Sequence, residues 1–396
     1  MSHWLYTFIL SLRSSANLDI LLTKKVIMRT ITIQPKAITH NLNQVKKMAP
    51  QAKVLAMVKS NAYGHGVAAV LPALQEADGI GVATLIEALE ARQLGWEKTI
   101  GLVEGAFTAD EWQQAIEQDI SCVIHHEPQL QWALDNVPAA DSATRVVWLK
   151  YNTGMNRLGF NAEGVMTAAK RLHEAGYQLI LATHFANADN RTHPLNAKQI
   201  QRFTDVLTTL RETISADIQG SLCNSAGIVN FSEHHHDWVR PGIILYGSSP
   251  VVDKSAQELD LQPAMNFSAQ IIALQTVSAN DAIGYGSRWM AQQDTKTALV
   301  SVGYGDGYPR VVNDDAYVSV VDNTTHQRYS CPVLGRVAMD MIVIDVSAVP
   351  ESITLLNSKV ILWGDAPRVD EVAAHAGTIS YELLCRLSIR PNRLQA

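Results

Sequence analysis

Between Val54 and Leu245, short apolar runs alternate with longer amphipathic stretches about eight times. The runs Val54–Val58, Gly79–Ala83, Thr99–Val103, Cys122–Ile124, Arg145–Lys150, Leu179–Thr183, Ile218–Leu222 and Val239–Leu245 are bounded by turn residues and read as buried strands. Leu85–Leu94, Thr108–Gln118, Gly164–Ala175 and Ala197–Ser215 read as the helices between them. Ahead of the first run, Ile38, Leu42 and Val45 mark a helix over Ala37–Met48. Such alternation predicts an α/β fold, a (β/α)8 TIM-like barrel, with a doubly wound open sheet as the competing architecture. No GxGxxG opens a helix, so a dinucleotide site has little support.

Near Gln262 the pattern changes. Asn266–Val277, Thr297–Val302, Tyr317–Val321, Ser330–Leu334, Met341–Val346 and Lys359–Trp363 read as strands separated by turns, with little helix. Tyr246–Leu261 reads as a linker or the last barrel helix region. The predicted organisation is a barrel over residues 28–262 and a mainly β-strand C-terminal domain over 263–396, with the boundary around Leu261–Asn266. Residues 1–27 read as a loosely ordered extension. Its apolar patch, Trp4–Leu12, is too short to span a bilayer and lacks the basic flank and cleavage site of a signal peptide.

Bulk properties narrow the function classes. The chain has 396 residues, 47% hydrophobic and 18% charged, enough for two ordinary globular cores. A net charge of −6 gives no electrostatic reason to expect nucleic acid or an anionic membrane as partner. The cysteines, Cys122, Cys223, Cys331 and Cys385, form no CxxC pair, which predicts reduced thiols and a cytoplasmic location. His234–His236 tempts a metal reading, but adjacent side chains diverge and no carboxylate completes a site; the expectation is a solvated loop and no metal. The Leu85–Leu94 helix, with Glu87, Glu90 and Arg92, reads as a charged outer face.

In a barrel, catalytic groups belong at the carboxyl ends of the strands. The polar residues that stand out fall there: Lys59, then Lys150 and Asn152–Arg157, His184 and Asn187, Asn224 and Ser225, and finally Arg240, Gly242 and Ile243. Lys59 ends an apolar strand, VLAMVKSNAYGHG, where a buried ammonium is costly unless it is paired or chemically used. One use is attack on a carbonyl by the deprotonated amine; the alternative is a lysine that simply reaches solvent. Ser225, in SLCNSAGI, and the N–H groups of Gly242 and Ile243, in RPGIILYG, suit a phosphate monoester, or are plain loops.

The Val54–Gly66 string closely resembles the cofactor-lysine motif of alanine racemases, and the resemblance recurs in order from about Met28 to the C-terminus. It implies pyridoxal 5′-phosphate bound through Lys59, with its phosphate held by Tyr63, Ser225, Gly242, Ile243 and Tyr381, the last in ISYELLC, and with Asn224 among the cofactor contacts. Arg240 would face the pyridine nitrogen. Because guanidinium stays charged and cannot take that proton, the ring would be a weaker electron sink, disfavouring decarboxylation and transamination. Two-base racemisation then needs acid and base on opposite faces of Cα. The resemblance assigns these roles to Lys59 and to Tyr285, in AIGYGSRW, reaching over from the other subunit of a homodimer and held by His184 in ATHFANAD.

Similarity to the family further implies that Arg157, in MNRLGF, meets the cofactor phenolate and the substrate carboxylate, that His184 is also among the cofactor contacts, that Met339, in GRVAMDM, gives the carboxylate a backbone N–H, and that Lys150 aligns with a lysine carbamylated in many relatives. Tyr304, in GYGDGYPR, would narrow an entry channel whose outer part is lined by Asp189, Arg310 and Arg336. The implied function is interconversion of L- and D-alanine, for peptidoglycan supply or alanine breakdown. A broader racemase acting on serine or larger amino acids, a non-catalytic pyridoxal phosphate carrier and a decarboxylase of similar plan are the alternatives.

Overall fold

The computed structural model describes residues 28–396; the expected extension, Met1–Ile27, lies outside the described residues. Eight parallel strands run Lys53–Met57, Gly79–Val82, Thr99–Leu102, Ile120–Ile124, Val146–Lys150, Gln178–Ala182, Gln219–Ser221 and Trp238–Val239, each paired with its sequence neighbour up to the seventh. The first pairs with the last through Lys53–Trp238 and Val54–Val239. The seventh and eighth meet at a single bridge, Asn224–Arg240, which nearly closes the barrel. The eighth strand is shorter than expected. Pro241 has no N–H to continue a ladder, and the chain turns into a tight 3-10 segment, Ile243–Tyr246, instead of running on to Leu245 as a strand.

The helices start where polar caps satisfy their free N–H groups. Thr84 caps Leu85–Gln93, Thr108 caps Ala109–Glu117 and Asn161 caps Ala162–Glu174, each accepting from a backbone N–H in the first turn. Their buried faces (Ala88 and Ala91, Trp112 and Ala115, Val165 and Leu172) pack on the outside of the strands. Inside the barrel, Leu55 and Met57 fill the space beside Gly81, where a Cβ would lie 2.5 Å from the Met57 sulfur.

The second half is built round one long strand. Met265–Val277 pairs along one part with Lys359–Trp363 and along the other with Thr295–Val300, and its register shifts between Ile271 and Ala273. Ile342–Asp345, Arg328–Leu334 and Tyr317–Val321 complete a closed antiparallel ring. Two features differ from the expected plan. Arg29–Ile33, assigned by sequence to the barrel half, is a strand of this second sheet, antiparallel to Met265–Ala269 and parallel to Asn392–Gln395. Its alternation of half-buried and buried positions suits a sheet margin. Two short helices, Val369–Ala376 and Ser380–Cys385, follow the last ring strand, and the second packs on the turn after Lys59.

His234–His236 is a correction of another kind. His235 is buried and its Nε2 pairs with the Ile228 carbonyl at 3.0 Å, while the His236 ring packs edge-on to Phe203. These rings fill space under the loop instead of facing water.

Candidate active site

The carboxyl ends of the barrel strands surround a cavity of about 560 Å³. Lys59, Tyr63, Lys150, Arg157, His184, Asn224, Ser225, Arg240, Gly242, Ile243 and Tyr381, eleven residues expected from the sequence, all line it. A larger cavity, about 690 Å³, opens beneath the strand starts beside Lys53, Trp148 and Trp238. The upper one is the better candidate site, because cations and hydroxyls converge there.

Lys59 stands half-buried at the end of its strand. The turn it opens is left-handed: Ser60, Asn61 and Ala62 have φ/ψ of 56/50°, 51/51° and 53/52°, and Tyr63 has φ 52°. For L-residues this costs roughly 1–2 kcal/mol each. Several contacts hold it. Ala62 N–H donates to Val58 O at 2.8 Å, Gly64 N–H to Ser60 O at 3.0 Å, and Arg393 reaches the Gly64 carbonyl at 2.7 Å. Ser60 N–H donates to the Glu87 carboxylate at 2.6 Å. The result aims the Tyr63 hydroxyl at Gly242, where a Cβ would sit 2.4 Å from it. Tyr63 stacks on Tyr246, ring centroids 4.8 Å apart, and Tyr246 donates to the Met57 carbonyl.

Ser225 opens the short helix Ser225–Asn230, which Asn224 caps through Gly227 N–H. The Gly242 N–H donates to Ser225 Oγ at 2.7 Å. That amide is therefore spent on orienting the serine, in contrast to the free donor expected from sequence, and the serine proton is left to point elsewhere. Burial raises Tyr63, with Tyr381 and Cys385 adding to it, and burial likewise raises Tyr381, so both phenols keep their protons. Tyr381 arrives from the helix Ser380–Cys385, so the second half of the chain helps wall the cavity.

Arg240 is buried and lacks a carboxylate partner among the described residues. Its guanidinium donates to the carbonyls of Ser221 at 3.0 Å, Thr183 at 2.5 Å and Leu222 at 3.4 Å, and to the Ser221 hydroxyl. Burial lowers it to about 10. No hydrogen bond joins it to His184; Asn224 is the near neighbour, 3.5 Å from the imidazole. Burial, then the charges of Lys150, Arg240, Arg157 and Lys59, push His184 well down and leave a neutral ring. Lys150 is pushed well below the usual amine range by burial, Arg240, Arg157 and Lys59. Glu104 is the one carboxylate among the lining residues.

The other expected residues lie outside this cavity. Tyr285 is 73% exposed on a turn of the second half. Tyr304 and Met339 are brought together by backbone bonds, Tyr304 N–H to Ala338 O at 3.1 Å and Gly305 N–H to Met339 O at 2.9 Å. Arg310 and Arg336 share a recess of about 340 Å³ with Arg288. Asp189 is on the barrel side, close enough for its charge to raise Tyr381. Sequence reasoning missed Glu87, Tyr246, Glu104 and Cys385. For Glu87 a signal was present: Thr84-x-x-Glu87 before an apolar run is a capping-box pattern, and the box is formed.

Comparison with known proteins identifies the family of the chain. The sequence model of the alanine racemase N-terminal domain matches residues 33–250, and that of the C-terminal domain matches residues 264–395. An alanine racemase from Psychrobacter sp. (strain PRwf-1) is 54% identical over 369 residues, 92% of this chain and 98% of that one. The solved alanine racemase of Acinetobacter baumannii superposes with a TM-score of 0.86 at 46% identity, covering 94% of this chain and 100% of that one. That of Bartonella henselae, a crystal structure with covalently bound pyridoxal phosphate, gives 0.80 at 25% identity over 93% and 99%. With both domain models matched in order and a relative this similar along nearly its whole length, the chain belongs to the alanine racemase family.

Proposed function

We propose that this chain interconverts L- and D-alanine using pyridoxal 5′-phosphate, with Lys59 and Tyr285 of the partner subunit as the two proton-transfer groups. The observation that carries the reading is the cavity itself. One primary amine at a strand end, Lys59, faces a set of cations and outward-directed hydroxyls that only an anionic ligand would balance.

The residues fit that cofactor. Tyr63 and Ser225 flank the backbone of Gly242, a cradle that a Cβ would fill, and they offer free hydroxyl protons for a phosphate. Arg240, held by carbonyls and with no carboxylate partner among the described residues, is a fixed cation for a ring nitrogen. When bound, pyridoxal phosphate supplies a carbonyl carbon for the amino nitrogen and a conjugated ring that withdraws electrons from Cα. Arg157 offers a forked pair of donors to the substrate carboxylate, and Met339 of the partner subunit, outside its own chain's cavity like Tyr285, adds a backbone N–H. The Lys59 amine takes the Cα proton from one face. The phenol of Tyr285 of the partner subunit gives a proton to the other, and the roles reverse for the opposite enantiomer. Neutral His184 can accept a hydrogen bond from that phenol. Lys150, already depressed towards the free amine, is suited to add carbon dioxide, and the resulting carbamate would pair with Arg157.

A homodimer with shared sites is part of the proposal, supported by the exposure of Tyr285 and its absence from the lining of its own chain's cavity. A cytoplasmic location is supported by four free cysteines, three of them buried. No helix among the described residues is long and apolar enough to cross a membrane.

The test is direct. Cofactor-loaded protein is given L-alanine in deuterated water, and D-alanine and Cα deuterium are measured. Both should appear; a loaded protein yielding neither refutes the assignment. Mixing inactive Lys59→Ala and Tyr285→Ala subunits should restore part of the activity, because each mixed dimer holds one intact site. Failure of rescue after demonstrated subunit exchange would sink the shared-site reading.

A further inference from the structure

The GYGDGYPR segment is knitted to the chain's C-terminal tail more tightly than an entry loop requires. Asp306 is fully buried. One carboxylate oxygen takes Arg29 Nη1 at 2.7 Å and lies 3.4 Å from Arg390 Nε, while the other accepts the Gly303 N–H at 3.0 Å. Ser388 N–H, in the tail, donates to the Asp306 carbonyl at 3.2 Å. Arg390 also reaches across to Asp340 Oδ1 at 2.7 Å, next to Met339. The two turns meet backbone to backbone. A Cβ on Gly303 would lie 2.2 Å from the Ala338 carbonyl oxygen, and one on Gly305 would lie 2.3 Å from Arg390 Nη1. The glycines are there because Ala338, Met339 and the guanidinium come that close. The Met339 N–H itself is left without a backbone acceptor among the described residues.

We propose that Asp306 and Arg390 are positioning residues: together they lock the Tyr304 turn against Met339 and so hold the Met339 N–H where a substrate carboxylate is received. The assignment of that N–H rests on the function proposed above. The clamp draws on three distant parts of the chain, Arg29 at the start, Asp306 in the middle and Arg390 near the end. The tail thereby becomes part of the substrate site without touching substrate. Arginine is required at 390 because one planar fork bridges two carboxylates, which a lysine point charge does not reproduce. Aspartate is required at 306 because both its oxygens accept; an asparagine would turn an NH2 towards either Gly303 N–H or a guanidinium.

Holoprotein of wild type, Asp306→Asn and Arg390→Lys is titrated with propionate, a carboxylate with alanine's carbon skeleton and no amine. Racemisation constants and melting temperature are measured on the same samples. The clamp predicts a propionate dissociation constant and a KM for alanine raised on the order of tenfold to a hundredfold in Asp306→Asn. It predicts a smaller rise in Arg390→Lys, with kcat and cofactor absorbance near wild type in both. Should Asp306→Asn fail to fold, Arg390→Lys carries the test. Unchanged propionate affinity with only a lowered melting temperature would reduce the network to ordinary ion pairs and overturn the proposal. Propionate binding needs no turnover. A wild type that binds propionate through the clamp but forms no D-alanine would therefore refute the function and leave the positioning role standing.

Discussion

Glu87 offers the sharpest test of how the cofactor lysine is presented. The turn after Lys59 winds against the preference of L-residues, so Ser60, Asn61 and Ala62 together store roughly 3–6 kcal/mol of strain. Glu87 opposes its release. One carboxylate oxygen takes Ser60 N–H at 2.6 Å, and the other takes Ala83 N–H at 2.9 Å and Thr84 N–H at 3.3 Å. Hydrogen bonds to a charged group are worth roughly 1.5–3 kcal/mol each. The side chain is half-exposed and one bond is long, so about 2–3 kcal/mol is the expected total. Released into the turn, that loss should raise the pyridoxal phosphate dissociation constant of Glu87→Ala by roughly 30- to 100-fold, at 1.4 kcal/mol per decade. Glu87→Gln should be nearly as harmful, because an amide has one acceptor oxygen and its NH2 would face an N–H. The assay is titration of apoprotein with cofactor, followed by absorbance. Ser60→Gly supplies the control: glycine takes positive φ without penalty, so it should recover about tenfold of the loss in the Glu87→Ala background. If Glu87→Gln binds cofactor within about twofold of wild type, the idea of a strained turn held from the neighbouring helix is wrong.

Three further outcomes follow from the same geometry. Gly242→Ala would put a methyl 2.4 Å from the Tyr63 hydroxyl, at a φ/ψ of −122/−94° outside the main regions open to L-residues; cofactor affinity should fall at least about tenfold, and unchanged affinity would contradict the cradle. Arg240→Lys should lower stability by about 2–4 kcal/mol, since one ammonium cannot serve the buried Ser221, Thr183 and Leu222 carbonyls; a denaturation midpoint equal to wild type would show these contacts to be expendable. His65 is buried and burial lowers it to about 4, so the unfolded chain binds its proton first as pH falls. The stability it contributes should be full above its unfolded value near 6.5 and be lost as pH falls towards about 4, by roughly 3 kcal/mol in all. Unfolding of His65→Gln should be less acid-sensitive across that window, and an identical pH slope would remove His65 as the cause.

Much of this was legible from the chain because each part is local. A barrel strand buried on both faces must be a short apolar run, and its end must turn, so Lys59, Lys150, His184 and Arg240 announced themselves by position. Tertiary facts were not. Arg29–Ile33 reads as any short strand, and nothing nearby says that its partner is Met265–Ala269, more than two hundred residues away. Pro241 was visible, yet the apolar run after it was read as strand because hydrophobicity alone cannot separate a buried 3-10 turn from a buried strand. Left-handed geometry at Ser60, Asn61 and Ala62 has no local signature, since only Asn61 is a residue type that favours it. Contacts outside the strand ends impose it. The reading of Glu87 as surface charge failed for a different reason: the capping box was present in the sequence, but its second acceptor serves a neighbouring loop that only folding brings near.

The electrostatics of the cavity tie fold and ligand together. Folding gathers Lys59, Lys150, Arg157 and Arg240 round one space with a single lining carboxylate, Glu104. Lys150 is depressed first by burial and then by the charges of Arg240, Arg157 and Lys59. Arg240 is the most constrained, because its donors face carbonyls at the strand ends and its charge has nowhere to go except towards the cavity. A chain that concentrates positive charge in this way is less stable empty than filled, and the relief comes from whatever anion enters. Any group that binds only the folded state adds RT ln(1 + [L]/Kd), about 2.7 kcal/mol at a hundredfold excess over Kd. The phosphate and carboxylate proposed for this site draw on the same cations, so each lowers the positive potential that the other meets. Charge alone should therefore make carboxylate binding weaker once the phosphate is bound, so any net synergy must come from contact between cofactor and carboxylate, and screening by salt should weaken that electrostatic opposition more than it weakens either affinity's apolar part.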